Sequence, residues 1–207
     1  MTEPREIATT SEAVTEGLYH WHIANSAIGG HMSSSHAVLT AQDSILVDPV
    51  RLADEALAKL PRPTTILLTA RCHQRAAWRY RREFGAEVWL PDDATPADEE
   101  PDRRYADGDT LPGGLQALRT PGPEWSHYSF FLPAGASVPP AAVVFCSDLV
   151  GELGEELTLI PPELHEDPDA TRASVGTLAD LPFDILCLAH GRPIVDDPRA
   201  ALRRLLD

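Results

Sequence analysis

The chain has 207 residues, with 17 Lys and Arg against 32 Asp and Glu and a net charge of −15. Such a charge repels phosphate backbones and anionic membrane surfaces, which argues against nucleic-acid and membrane partners. No stretch reaches the ~20 apolar residues of a membrane span, and MTEPREIATTSEAVTEG at the start lacks the apolar centre of a signal peptide, so a soluble cytoplasmic protein is expected.

Residues 1–17 are polar and read as a flexible leader, and no Gly/Ser-rich linker divides the rest, so 18–207 reads as a single domain. Leu18-Tyr19-His20-Trp21-His22-Ile23 alternates as a strand, which puts His20 and His22 on one face. A pair at that spacing reads as exposed sheet surface before it reads as a ligand set. Residues 36–40 and 44–48 flank the short polar connection Ala41-Gln42-Asp43, as in a hairpin. Between 51 and 60, Leu52, Ala56, Leu57 and Leu60 fall at helical spacing, and Pro61 and Pro63 stop the pattern.

Ile66-Leu67-Leu68 has the content of a short buried strand, and Ala77, Tyr80 and Phe84 mark one face of a helix capped by Gly85. A strand over 87–90 follows, then a surface excursion over 91–114 rich in Pro, Asp and Glu. Strands are expected near 115–119, 127–132 and 141–146. Asp167-Pro168 predicts an N-cap and first-turn proline, with Val175, Leu178 and Leu181 as the helix's apolar stripe. A last strand over 184–189 and a helix over 198–206 close the chain. Cys146 and Cys187 lie in apolar runs, and three cysteines without close spacing argue against a disulfide framework.

Thr69-Ala70-Arg71-Cys72-His73-Gln74-Arg75 closes an apolar strand, where α/β proteins commonly place sites. It resembles a worn form of the Thr-His-x-His-x-Asp-His motif of the metallo-β-lactamase superfamily. Four other segments fall in that family's order. Ser44-Ile45-Leu46-Val47-Asp48-Pro49 resembles its early strand, and Leu118-Arg119-Thr120-Pro121-Gly122-Pro123 its Thr-Pro-Gly-His turn. Val143-Val144-Phe145-Cys146-Ser147-Asp148 is similar to the strand bearing its bridging aspartate, and Leu188-Ala189-His190-Gly191-Arg192-Pro193 to its late His-Gly turn. The resemblance implies an α/β (α+β) fold, a four-layer αββα sandwich.

The resemblance also implies a shell for one or two zinc, iron or manganese ions with a water nucleophile. Position by position, it puts Ala70, Cys72 and Arg75 where the first motif's histidines belong, Gln74 at its aspartate and Pro123 at the turn histidine. Asp148 and His190 keep the family residue. Alanine and proline offer no side-chain donor, and arginine repels a cation, so a standard dinuclear site is not expected.

Two readings follow. In the first, no cofactor binds, Arg75 pairs with Asp148 in place of the lost charge, and the fold serves as a small-molecule-binding or interaction protein. In the second, Cys72, Asp148 and His190 hold one Zn, Fe or Mn ion, helped by His73 or His127, and the protein cleaves a thioester, lactone or phosphoester. His36 is a further pocket candidate, because its strand in the family enters from the active-site side. His165, among acidic neighbours, reads as a solvated loop residue. Ser33-Ser34-Ser35 lacks a nucleophile elbow, and a homodimer built on Trp21, Trp78, Trp89 and Trp125 is a third option.

Overall fold

Strands that are apolar at every position must be covered on both faces, and that rule organises the computed structural model, which describes residues 3–41, 43–154 and 156–207. Among these residues the first sheet runs in sequence order. Its strands are β1 Glu12–Thr15, β2 Leu18–Ala24, β3 Met32–Leu39, β4 Ser44–Val47, β5 Thr65–Leu67, β6 Glu87–Pro91 and β7 Arg103–Tyr105. β1 to β4 pair antiparallel, and β4 to β7 pair parallel. Parallel neighbours need crossovers, and α1 Asp54–Leu57 and α2 Ala77–Phe84 lie on two of them.

The second half supplies β8 Gln116–Arg119, β9 Tyr128–Leu132, β10 Val143–Phe145, the hairpin β11 Val150–Leu153 and β12 Glu156–Leu159, α3 Pro168–Ala179, β13 Ile185–Cys187 and α4 Pro198–Arg204. The second sheet has the order β13-β10-β9-β8. Side-chain alternation then makes three apolar layers. Ile45, Val47 and Leu67 meet Phe130, Val143 and Phe145 between the sheets. Leu46, Ile66 and Val88 turn the other way, onto Leu57, Trp78 and Tyr80. Val144 and Leu186 pack outward on Val175, Leu178 and Leu202. The result is the expected αββα order, with helices outside and two sheets inside.

Local signals are visible in the caps. Asp167 accepts the Ala170 N–H at 3.0 Å ahead of Pro168, and Gly85 ends α2 with φ 69°. Other expectations are corrected. The N-terminal segment is not a separate leader: Ala8 is buried and bridges Leu52, Glu3 pairs with Arg79 at 2.6 Å, and β1 pairs with β2. The same bridge holds Leu52 extended, so the helix expected over 51–60 shrinks to one turn. β3 begins at Met32, four residues before the expected start, and the β11–β12 hairpin was not anticipated. Gln42 of the expected hairpin connection lies outside the described residues. No helix is long and apolar enough to cross a membrane among the described residues.

The segments that follow β4, β5, β8, β10 and β13 meet at one edge of the sandwich. Hydrogen bonds between Thr69 and Ser147, and between Asp148 and His127, tie them together.

Candidate functional site

The inner layer of this edge is built on Asp48, directly after β4. Its Oδ1 accepts the Thr69 N–H at 2.8 Å, and its Oδ2 accepts the Thr69 hydroxyl at 2.6 Å. His73 Nδ1 lies 3.0 Å from the same Oδ2, and the Ser147 hydroxyl is 2.7 Å from that of Thr69. Asp48, Arg75 and Ser147 hold left-handed φ values of 47°, 37° and 54°. Such conformations cost about 1–3 kcal/mol each and persist only where surrounding bonds over-determine them.

Arg75 does not pair with Asp148. Its guanidinium is buried and donates to the backbone carbonyls of Ser34 at 2.6 Å and Asp48 at 3.0 Å. Its Nη1 makes both bonds, so Arg75 clamps β3 to the end of β4. Gln74 is equally committed: its amide donates to Arg71 O at 2.9 Å, and its oxygen accepts from Trp78 Nε1 at 3.1 Å and from the Asp98 N–H at 2.7 Å.

Asp148 organises the outer layer. Its Oδ1 lies 3.1 Å from His73 Nε2 and 3.0 Å from His190 Nε2, and the Cys72 Sγ is 3.5 Å from its Oδ2. Oδ1 is nevertheless buried without an aligned hydrogen bond. Each imidazole is held from behind. His73 Nδ1 faces Asp48, and His190 Nδ1 donates to Met32 O at 2.6 Å. This is how ligating histidines are usually oriented, with Nδ1 bonded and Nε2 directed at the site. His127 is different: its Nε2 accepts the Asp148 N–H at 3.1 Å, so its Nδ1 carries the proton, facing Thr120 O at 2.7 Å. Its lone pair is spent on positioning Asp148, which removes it as a helper ligand.

Burial pushes the His73 pKa down, but Asp148 and Asp48 more than offset that and raise it to about 9. Burial likewise opposes ionisation of Asp148, and the adjoining His73 and His190 still hold its carboxyl well below the usual range. Burial, reinforced by Asp148, pushes the Cys72 thiol well up. For His127 burial dominates and lowers the pKa to about 4.

Of the expected pocket residues, Cys72, His73, Asp148 and His190 come together. His36 does not line the pocket; it is buried beside His20 and edge-on to Phe145. His20 is also buried rather than on exposed surface, stacked on His22 at 5.4 Å. His165 is half-buried, with Nδ1 2.8 Å from the Thr171 hydroxyl, and burial lowers its pKa against the opposing pull of Asp148. Sequence reasoning missed Glu124, which takes over the turn beside Pro123 and accepts the Arg71 N–H at 2.9 Å. It also missed the roles of Thr69 and Ser147. Only the Asp48-Pro49 segment signalled that inner layer.

The dinuclear shell of the family does not fit these residues. Ala70 and Pro123 have no donor, and Gln74 and Arg75 are consumed by structural bonds. A single ion does fit, since ligand atoms of Cys72, His73 and Asp148 lie within 4.8 Å of one another, with His190 beside them. His73 thus joins the tight trio in place of His190.

The layers and this edge site define the metallo-β-lactamase fold, shared with solved structures of that superfamily. No protein-family model and no curated protein matches it. Among solved structures it is similar to ST1585, an archaeal metallo-β-lactamase superfamily protein from Sulfolobus tokodaii, at 12% identity and TM-score 0.66, over 84% of this chain and 78% of that one. It is similar to TTHA1623, solved in a di-iron-bound form, at 26% identity and TM-score 0.62, over 84% and 93%. It is also similar to LRA-12, a class B3 di-zinc metallo-β-lactamase from an Alaskan soil metagenome, at 16% identity and TM-score 0.59, over 92% and 84%.

Proposed function

We propose that this protein is a hydrolase with a single-ion centre formed by Cys72, His73 and Asp148, with His190 adjoining, acting on a thioester, lactone or phosphoester. The observation that carries the reading is the buried Asp148 Oδ1, which has no aligned hydrogen bond although two back-anchored imidazoles approach it and a thiol lies beside its partner oxygen. Thiolate, imidazole and carboxylate together suit zinc or iron. Bound there, such an ion supplies Lewis acidity toward a carbonyl or phosphoryl oxygen. Asp48 and Met32 O set the orientation of His73 and His190, His127 fixes the Asp148 backbone, and Cys72 distinguishes this donor set from the histidine-rich one of the family. The iron- and zinc-bound relatives support the choice of ion.

Cobalt titration of chelator-treated protein tests the site. One equivalent is expected to bind with a thiolate-to-cobalt charge-transfer band that disappears in Cys72→Ser. Zinc-loaded protein is expected to hydrolyse at least one ester class, with Asp148→Ala losing both metal and activity. Absence of the band, or unchanged metal content in Asp148→Ala, refutes the centre.

One observation favours a second reading. His73 lies 3.0 Å from Asp48 and 3.1 Å from Asp148, so its ring can supply the positive charge between two carboxylates without an ion. The protein would then be a metal-independent small-molecule-binding or interaction module. Protein purified without chelator and lacking stoichiometric zinc, iron or manganese would favour it.

A further inference from the structure

Trp125 and Leu164 are the most exposed large hydrophobic side chains among the described residues, at 66% and 67%. Both belong to segments bonded to the edge that carries the site. Trp125 sits between Glu124, bonded to the Arg71 N–H, and the Ser126-His127 segment that reaches Asp148. Leu164 precedes His165, and its loop is stapled to the turn at Pro123 by the Glu166 N–H to Pro123 O at 3.3 Å and the Asp167 N–H to Gly122 O at 2.9 Å.

Two of the other tryptophans have structural explanations. Trp21 and Trp78 are buried, and their indole N–H groups bond Val50 O and Gln74 Oε1. The backbone of Trp125 is anchored while its ring lies in water. Its backbone N–H donates to Glu166 at 3.0 Å, its backbone carbonyl accepts from Arg119 at 3.2 Å, and the Arg119 guanidinium covers one ring face at 4.0 Å. Large apolar side chains left exposed on anchored backbone next to a site mark a contact surface.

We propose that Trp125 and Leu164 form a lip that binds an uncharged alkyl or aryl arm of the ligand, an assignment of substrate class that rests on the proposed site. The charge around the lip selects against anionic arms. Glu124, Glu163, Glu166 and Asp93 surround it, while Arg119 is paired to Asp93 at 3.1 Å and Arg71 to Glu124 at 3.7 Å. The open face of Trp125 offers dispersion and apolar contact, which do not require charge.

The test uses the neutral fluorophore N-phenyl-1-naphthylamine with the full chain free of metal, so its outcome is independent of the metal centre. Wild type is expected to bind it, and the double variant Trp125→Ala, Leu164→Ser to bind about tenfold more weakly. Both side chains are exposed, so an unchanged urea midpoint should accompany that loss. In zinc-loaded protein the double variant should raise KM for 4-nitrophenyl hexanoate and leave that for 4-nitrophenyl acetate unchanged. Equal probe affinity in the two proteins overturns the lip. So does sedimentation showing a dimer that the double variant dissociates, since a second copy would then cover these residues. Failure of zinc-loaded protein to hydrolyse any ester, with probe binding still lost in the variant, refutes the hydrolase reading and leaves the lip standing.

Discussion

Two histidine clusters flank the turn at 190–192, and their surroundings drive them in opposite directions. On one side His73 stands between Asp48 and Asp148, and those carboxylates overcome burial to raise its pKa to about 9. On the other, His20 and His36 sit with ring centroids 5.2 Å apart, each with a buried Nε2 that has no hydrogen-bond partner. The groups facing them are His22 from β2, Arg75 from the loop after β5, Arg192 from the turn and the Phe145 ring from β10. Burial, reinforced by His22 and Arg192, lowers His20 to about 4, and burial with His20 and Arg75 lowers His36 well below 6.5. Equal burial therefore says little about a histidine; the sign of its neighbours decides.

The comparison breaks most sharply at Asp48. Asp48→Ala strands His73 and the Thr69 N–H, and should destabilise the protein by about 3–5 kcal/mol, the range for breaking a buried pair, read as a lower urea midpoint. If the loss is under about 1 kcal/mol, the inner layer does not hold the site.

Next in size is the pH response of the second cluster. His20 and His36 bind protons more readily unfolded than folded, so their stabilising effect is complete above about pH 6.5 and is lost as pH falls toward about 4. The His20 shift alone sets an upper limit of about 3 kcal/mol on its share. Urea midpoints followed from pH 7 to pH 4 should fall, and the double variant His20→Phe, His36→Phe should flatten that slope. An equally steep slope in the variant would assign the acid response to other groups.

Gly191→Ala acts on the turn between the clusters. A Cβ there would meet Leu188 Cδ1 at 2.6 Å and Glu152 Cγ at 3.0 Å, and overpacking of this kind costs about 1–3 kcal/mol. Histidine NMR signals from both clusters should move together, because Ser34 of β3 also bonds Gly191 O at 2.6 Å. The smallest effect belongs to Arg192→Ala. Its side chain is exposed and screened, so the His20 titration should rise by only about a few tenths of a pH unit.

Much of the fold was legible because its signals are local. The Asp167 cap, the Gly85 stop, the apolar strands and the ordered motif segments each depend on a few adjacent residues. The lost helix turns after Leu52 were not legible, since the bridge from Ala8 that extends them comes from 44 residues away in sequence, the distance between positions 8 and 52. Nor was the setting of each tryptophan legible: Trp21 and Trp78 are buried and Trp89 is half-buried, leaving Trp125 exposed.

The sequence by itself determined the superfamily resemblance, the absence of the dinuclear donor set and the survival of Asp148 and His190, because these are questions of which atoms the side chains possess. Only the tertiary structure decided what the survivors face. A guanidinium and an imidazole two residues apart could each have neutralised Asp148, and the motif spacing favoured Arg75. The left-handed backbone at Arg75 and the open carbonyls of Ser34 and Asp48 take that side chain away, and His73 is left between the carboxylates. Which charge reaches a buried carboxylate depends on where the unpaired backbone acceptors of other strands lie, and spacing along one chain segment does not encode that.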